Sequence, residues 1–548
     1  MPQSLPIRPT GLLTSDDIPP AEAPATAWTG VENMSFRDVY AERVQGFAPI
    51  YNQNPTIGAP GSPPLFLLNN LFQGASYWIY GTAAGIGTTD TGGTHTDLTP
   101  ASSPPSGINS EQWTGCELNG FPVMNYQNGS GPHSWDRNLA NKFIQLPLWP
   151  AATSCKIIRS HRFYLMALNI GGATELPSVI RWSDSAAPGN LPTTWTPAVA
   201  NDAGSLSLGD TGEGITDGLT IGASSLGGSR FIVYKTNSTY FMDYVANRTT
   251  GQDIFGQGAL FTTTGALSTN CVTTWNNQHV VLTDGDVIMH DGQGAIRSLV
   301  DRSTRRAIFS NIDQTNYERS FVINDRVLDQ IIVCYPENGA SYPNRALLID
   351  MQTNSVRFRD TNEIYGGGSF RDTRIGGSGT PHIATGNVST STINNLWSNI
   401  TTKWNTDTNI WSYGEIQAAT DGLVGIDFDD SELVRFNNGA NYTTGTLNAS
   451  ATKLTFDFGD ASRGKYCGEV RPRIVGTAGQ IVQCRVGSQE NTDEPVNWGS
   501  FREFVIGTDQ YVDADSEGKY LSFQFQTSAG NNWRIAGFDA LIDLTGAY

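Results

Sequence analysis

The stretch His279-Val-Val-Leu-Thr-Asp284-Gly285-Asp-Val-Ile-Met-His290-Asp291-Gly292 decides the fold class. Two Asp-Gly pairs, whose residues tolerate the positive φ of tight turns, bracket a short apolar run. A β-meander is the direct reading. The same event recurs along the chain. Arg230-Phe-Ile-Val-Tyr234 and Thr239-Tyr-Phe-Met-Asp-Tyr-Val245 flank the turn Lys-Thr-Asn-Ser. Tyr77 to Thr82 turns through Ala84-Gly85 into Ile86, and Arg162 to Asn169 pairs with Val179 to Ser183. Gln330 to Tyr335 pairs with Arg345 to Asp350, and Leu423 to Asp427 turns through Asp429-Asp430 into Glu432 to Phe436.

These hairpins recur at irregular separations because loops of unequal length intervene, such as the Gly/Thr/Ser-rich stretch from Gly85 to Asn109. A small meander cannot bury both of its faces alone, so repeated meanders stack around an axis. The expected fold is therefore all-β: an irregular β-propeller of five or six blades over 28–440, with long loop insertions. Residues 1–27, rich in Pro and small side chains, read as an extended amino-terminal arm. Beyond Asn437-Asn438-Gly439 the alternating strands lengthen (Lys453 to Phe458, Lys465 to Val475, Gln480 to Val486, Lys519 to Gln526, Trp533 to Leu544). Residues 441–548 accordingly read as a β-sandwich of ordinary size. No segment sustains a 3.6-residue period, so helices should be short and local.

Composition fits this reading. Of 548 residues only 16% are charged, while glycine (59) and proline (27) are abundant, as turns between short strands require. The formal net charge of −18 argues against a protein that grips nucleic acid through its phosphates. Seven lysines stand against 27 arginines, and arginine is the cation suited to buried pairs and subunit contacts. The six cysteines form no CxxC pair, so free buried thiols are expected and neither a zinc nor a redox motif is. The first 28 residues lack the apolar core of a signal peptide, and no apolar run is long enough to span a bilayer. Synthesis in a host cytoplasm is the corresponding expectation.

Three stretches resemble the nozzle or tail-tube (packaged-DNA stabilisation) proteins of short-tailed bacteriophages. The first is Trp28-Thr-Gly-Val-Glu-Asn33-Met-Ser-Phe36-Arg37-Asp38 through Gly46-Phe47, with Val39 where that family usually has glycine. The second runs from Arg485-Val-Gly-Ser-Gln to Trp498-Gly499. The third joins Gly518-Lys519-Tyr520-Leu521, Trp533-Arg534-Ile-Ala-Gly537-Phe538 and Leu544-Thr-Gly546. The resemblance implies a structural virion protein: a homo-oligomeric ring, usually six-fold, below the tail adaptor and beside other tail proteins such as fibres. Its central channel would retain and then release DNA without binding it specifically.

Candidate chemistry is sparse. Asp513-Ala-Asp515-Ser-Glu517-Gly518 begins like a calcium loop, but Gln524 stands where a bidentate Glu is needed, so a polar hairpin turn is expected. Ser183-Asp184-Ser185, with Gly189 and Trp195, has the wrong spacing for a sialidase-type Asp box and reads as a structural turn. His279 and His290 face each other across one hairpin, yet no third ligand is evident, so a cross-strand surface pair is expected. Gly366-Gly-Gly and Gly376-Gly-Ser-Gly379 precede no Lys-Ser/Thr pair and read as loops. No catalytic, cofactor-binding or metal-binding residue is nominated. The one concentrated basic patch, Arg297, Arg302, Arg305 and Arg306, is expected to make a subunit or partner contact. The leading expectation is thus a tail-conduit protein rather than an enzyme. The alternatives are a receptor-binding or fibre-attachment protein and, with less support, a propeller glycosidase.

Overall fold

The computed structural model describes residues 3–9, 11–12, 19–37, 40–49, 63–72, 75–89, 95–172, 175–209, 212–222, 229–245, 254–326, 328–337, 339–361, 363–372, 420–427, 433–436, 441–442, 445–527 and 530–547. Each of the hairpins read from sequence is extended by further strands into a four-stranded antiparallel sheet. Among the described residues there are seven such sheets, so the propeller has seven blades rather than five or six. Blades 1 to 6 open with Pro64–Phe72, Trp113–Leu118, Thr153–His161, Ile215–Ile221, Val272–Trp275 and Phe321–Asp325. Blade 7 consists of Ile364–Asp372, Thr420–Asp427 and Leu433–Phe436, completed by Phe47–Pro49 from far upstream. The opening strand of each blade lies beside that of the next, and blade 7 returns to blade 1, closing the ring. Counting hairpins undercounts blades for two reasons. The outer strands of blade 2, His133–Ser134 and Ile144–Gln145, are two residues each, and one strand of blade 7 is supplied non-locally.

The cores lie between blades. In Tyr164–Gly172 of blade 3, Met166 and Leu168 pack towards blade 4, while Leu165 and Ala167 pack towards blade 2. In Gln330–Tyr335 of blade 6, Ile331 and Val333 face blade 5, while Ile332 and Cys334 face blade 7. Both faces of these strands are covered, which is why they read as continuous apolar runs rather than alternating ones. All six cysteines are free and buried in such layers or in the sandwich.

The second body is a sandwich of two six-stranded sheets. One contains Val512–Gly518, Arg463–Gly476, Trp533–Ala547, Tyr40–Arg43 and Met34–Arg37, with Gln3–Ile7 also paired to Trp533–Ala547. The other contains Asn497–Trp498, Ile481–Gln489, Tyr520–Thr527, Ala449–Phe456 and Gly30–Glu32, with Arg502–Val505. The boundaries expected at 27/28 and 440/441 therefore shift. Part of the arm and the strands Gly30–Glu32, Met34–Arg37 and Tyr40–Arg43 belong to the sandwich, and the propeller is inserted between its strands. Period-2 alternation marks a strand but carries no information about a partner 500 residues away.

The junction is hydrogen-bonded. Asn33, in the left-handed region (φ 52°), donates through Nδ2 to Asp360 Oδ2 (2.9 Å) and Asn448 O (2.7 Å) and accepts from Asp360 N (2.8 Å). Arg43 Nη2 donates to Leu447 O and Arg359 Nη2 to Gln45 O, each at 2.7 Å. A Cβ on Gly46 would lie 1.8 Å from Asn441 O, so only glycine permits this crossing. Residues 437–440, where the domain break was expected, lie outside the described residues.

Candidate functional site

The basic patch falls in the connection between blades 5 and 6, which carries the ten-residue helix Arg302–Asn311. Asp301 caps it by accepting from Thr304 N at 2.8 Å. Thr304 and Ile308 are buried, and Ile312 continues that stripe at the same four-residue spacing. Arg302 and Arg306 therefore project from the other side and are exposed. Among the described residues neither guanidinium has a hydrogen-bonding or ionic partner, although the Arg306 carbonyl accepts from Ser310 Oγ at 2.6 Å. Arg305 is held instead by Asp286 (3.0 Å) and Ser298 Oγ (3.2 Å), and Arg297 by the amide oxygen of Asn354. The four arginines thus occupy one corner, with two tethered and two free to engage something else.

The propeller axis holds a cavity of about 360 Å³ bordered by the opening strands of all seven blades. Apolar side chains such as Leu67, Leu219 and Val272 share it with two ion pairs. Arg159 and Asp217, 10% and 2% exposed, meet at 2.9 Å. Both Asp217 oxygens are further occupied by Gly218 N (2.7 Å) and Asn270 N (2.9 Å), and Arg159 also reaches Asn270 Oδ1 (3.0 Å). Arg319 pairs with Glu111 at 3.1 Å and donates to Ser341 O. These networks stitch blades together across the axis; their carboxylates are committed to guanidinium partners. Sequence reading passed over them, although a charge inside Ile157-Ile158-Arg159 was the available signal.

The expectation of a surface histidine pair is overturned. His279 and His290 are paired in register as read, but both are buried, because blade 4 covers that face of blade 5. The Tyr234 hydroxyl of blade 4 lies 2.7 Å from His279 Nδ1 and 2.7 Å from His290 Nε2, donating to one ring and accepting from the other. Burial, reinforced for His279 by the neighbouring His290, lowers these imidazoles from 6.5 to about 3 and about 4. Burial likewise lowers His133 and His161 to about 4.

The remaining motifs are structural. Val512–Gly518 is a strand at the edge of its sheet, not the expected turn; its register shifts around Asp515 (φ 46°), and Asp513, Asp515 and Glu517 are exposed along it. Asp184 Oδ1 accepts from Ser185 N and Asp202 N, bracing the loop before Gly204–Ser207. Gly366 and Gly367 lie in the opening strand of blade 7. Gly376 to Gly379 and His382 lie outside the described residues. No helix of the described residues is long and apolar enough to cross a membrane.

No protein-family model and no curated protein matches the chain. Among solved structures, the chain is similar to an exo-β-1,3-galactanase from Phanerochaete chrysosporium crystallised with galactose, at 9% identity and TM-score 0.25, covering 91% of this chain and 100% of that one. It is also similar to the β-propeller domain of Cps50 (Swd1) from Myceliophteria thermophila, at 9% identity and TM-score 0.35, covering 66% of this chain and 93% of that one. A third is the Dos1 propeller, at 10% identity and TM-score 0.32, covering 53% and 70%.

Proposed function

We propose that this protein is a structural subunit of a bacteriophage tail, part of a ring that forms the conduit through which DNA leaves the particle. One observation carries the reading. The three stretches that resemble tail-tube proteins, the first of them more than 400 residues from the other two, come together in the sandwich and at its junction with the propeller. Trp28 packs on Phe525 and Phe538 with ring centroids 6.1 and 6.2 Å apart. Arg485 covers the ring of Trp498 at 4.5 Å, and Arg534 covers that of Tyr40 at 4.6 Å. Gly537, at φ 136°, lies where a Cβ would stand 2.2 Å from Ile7 O. The resembling residues thus help to hold one structural unit in shape, which supports the reading.

The conduit in this reading lies between subunits. The axial cavity of the propeller has the size that suits a drug-sized ligand, and side chains cross it, so it cannot pass a duplex. Two of the carboxylates at that cavity, Asp217 and Glu111, are paired to arginines, which supports a scaffold role. Electron microscopy of the virion, with antibody against this chain, tests the proposal. A closed ring of label on the tail axis is expected; label confined to peripheral fibres would replace the conduit with an attachment role.

A further inference from the structure

We infer that the exposed arginine face of the helix Arg302–Asn311 docks against the edge strand Val512–Gly518 of a second copy of this chain, an inference that rests on the ring reading above. Arg302 and Arg306 are one helical turn apart, with Cβ atoms about 5–6 Å from each other. Asp513, Asp515 and Glu517 are all exposed along the edge strand, whose register shifts around Asp515 (φ 46°), where the carboxylate also accepts from the Tyr466 hydroxyl at 3.2 Å. The two groups are exposed and of opposite charge, and so complementary. An exposed apolar side chain neighbours each group in sequence: Ile296 (44% exposed) precedes Arg297, and Tyr511 (48%) lies two residues before Asp513. Arginine and aromatic side chains of this kind anchor protein interfaces.

In the ring reading the contact between the two patches is heterologous. Each copy would offer its helix to one neighbour and its edge strand to the other. Joined by a rotation, such contacts close into a ring; a self-complementary patch would stop at a dimer. A chain of net charge −18 also repels its own copies, and two unpaired arginines give it a place where that repulsion reverses locally. DNA is the competing occupant of an arginine face, and the test separates it.

The test uses the full chain. Arg302→Glu with Arg306→Glu reverses the helix, and the first change sits favourably at a helix N-terminus, so the helix is kept. Asp513→Lys with Glu517→Lys reverses the strand; Asp515, at φ 46°, is left alone because a lysine there would be strained. Thermal melting matched to the wild type shows that each variant is folded. By sedimentation, the wild type is expected to self-associate, less so at 1 M salt, where the screening length falls to about 3 Å. Each double variant should associate about 100-fold more weakly, as like charges across an interface demand. Combining all four changes, which exchanges the two rows, should restore association. A wild type that remains monomeric at its highest soluble concentration, double variants that associate as the wild type does, or a charge-exchanged chain that stays apart overturns the inference. So does salt-sensitive retardation of duplex DNA abolished by the two glutamates. A swap-dependent association found away from the tail axis would keep this contact and sink the conduit; a ring on the axis indifferent to the swap would do the reverse.

Discussion

Asp217 shows what a single buried charge does in this molecule. Its carboxylate receives a guanidinium and two backbone amides, which is enough to hold an anion out of water. Changing Asp217→Asn removes the charge and leaves Arg159 buried beside a neutral amide. Loss of one member of such a pair costs about 3–5 kcal/mol. The urea midpoint of the propeller transition is expected to fall accordingly, and an unchanged midpoint would show that water screens the pair. Asn33 acts at the same scale by different means. It accepts a left-handed backbone and uses both ends of its amide, so one side chain orients the sandwich on blade 6.

Among elements, the short strand Phe47–Pro49 decides whether the ring is closed. Phe47 lies 4.6 Å from the ring of Phe436 and 5.2 Å from that of Tyr442, with Arg359 over its face at 4.9 Å. Phe47→Ala should cost about 3–5 kcal/mol and raise amide exchange in Leu433–Phe436, the strand it zips, before exchange rises in blades 3 and 4. Equal rises in all blades would show that closure is not local to blade 7. Contiguous hairpins such as Arg230–Lys235 with Thr239–Tyr244 were legible in the sequence, since turn residues and apolar runs are neighbours there. The strand Phe47–Pro49 was not, because its partner is nearly 400 residues away. The arginine helix was legible as a basic patch but not as a helix, its ten residues being too few to sustain a period. The burial of His279 and His290 was hidden for a related reason: alternation shows which side of a sheet a residue takes, not what covers that side.

At the scale of the whole molecule, four buried histidines make the propeller sensitive to acid. His133, His161, His279 and His290 titrate at about 3 to 4 in the folded chain, below the ordinary 6.5. The neutral rings belong to the folded state, so their contribution is full above about pH 6.5 and is lost as pH falls towards 4, each on the order of 1–3 kcal/mol. Melting temperature should be flat from pH 7 to 8 and drop steeply between 6 and 4; a profile that is level through this window would mean that the histidines are hydrated. The overall charge of −18 leads to a separate expectation: at moderate salt the isolated chain should not retard duplex DNA in a gel.

The insertion of the propeller between sandwich strands also imposes an order of events in time. Residues 30–43 leave the ribosome early, yet their sheets need Ala449–Phe456 and Trp533–Ala547. At ordinary elongation rates the interval is roughly half a minute to a minute and a half. Over that interval Met34–Arg37 and Tyr40–Arg43 have only each other to pair with while seven blades are made, and Phe47–Pro49 itself waits for Leu433–Phe436. A chain whose synthesis stops before Trp533–Ala547 cannot finish the sandwich, so interrupted products lack the finished shape on which incorporation into a symmetric assembly depends.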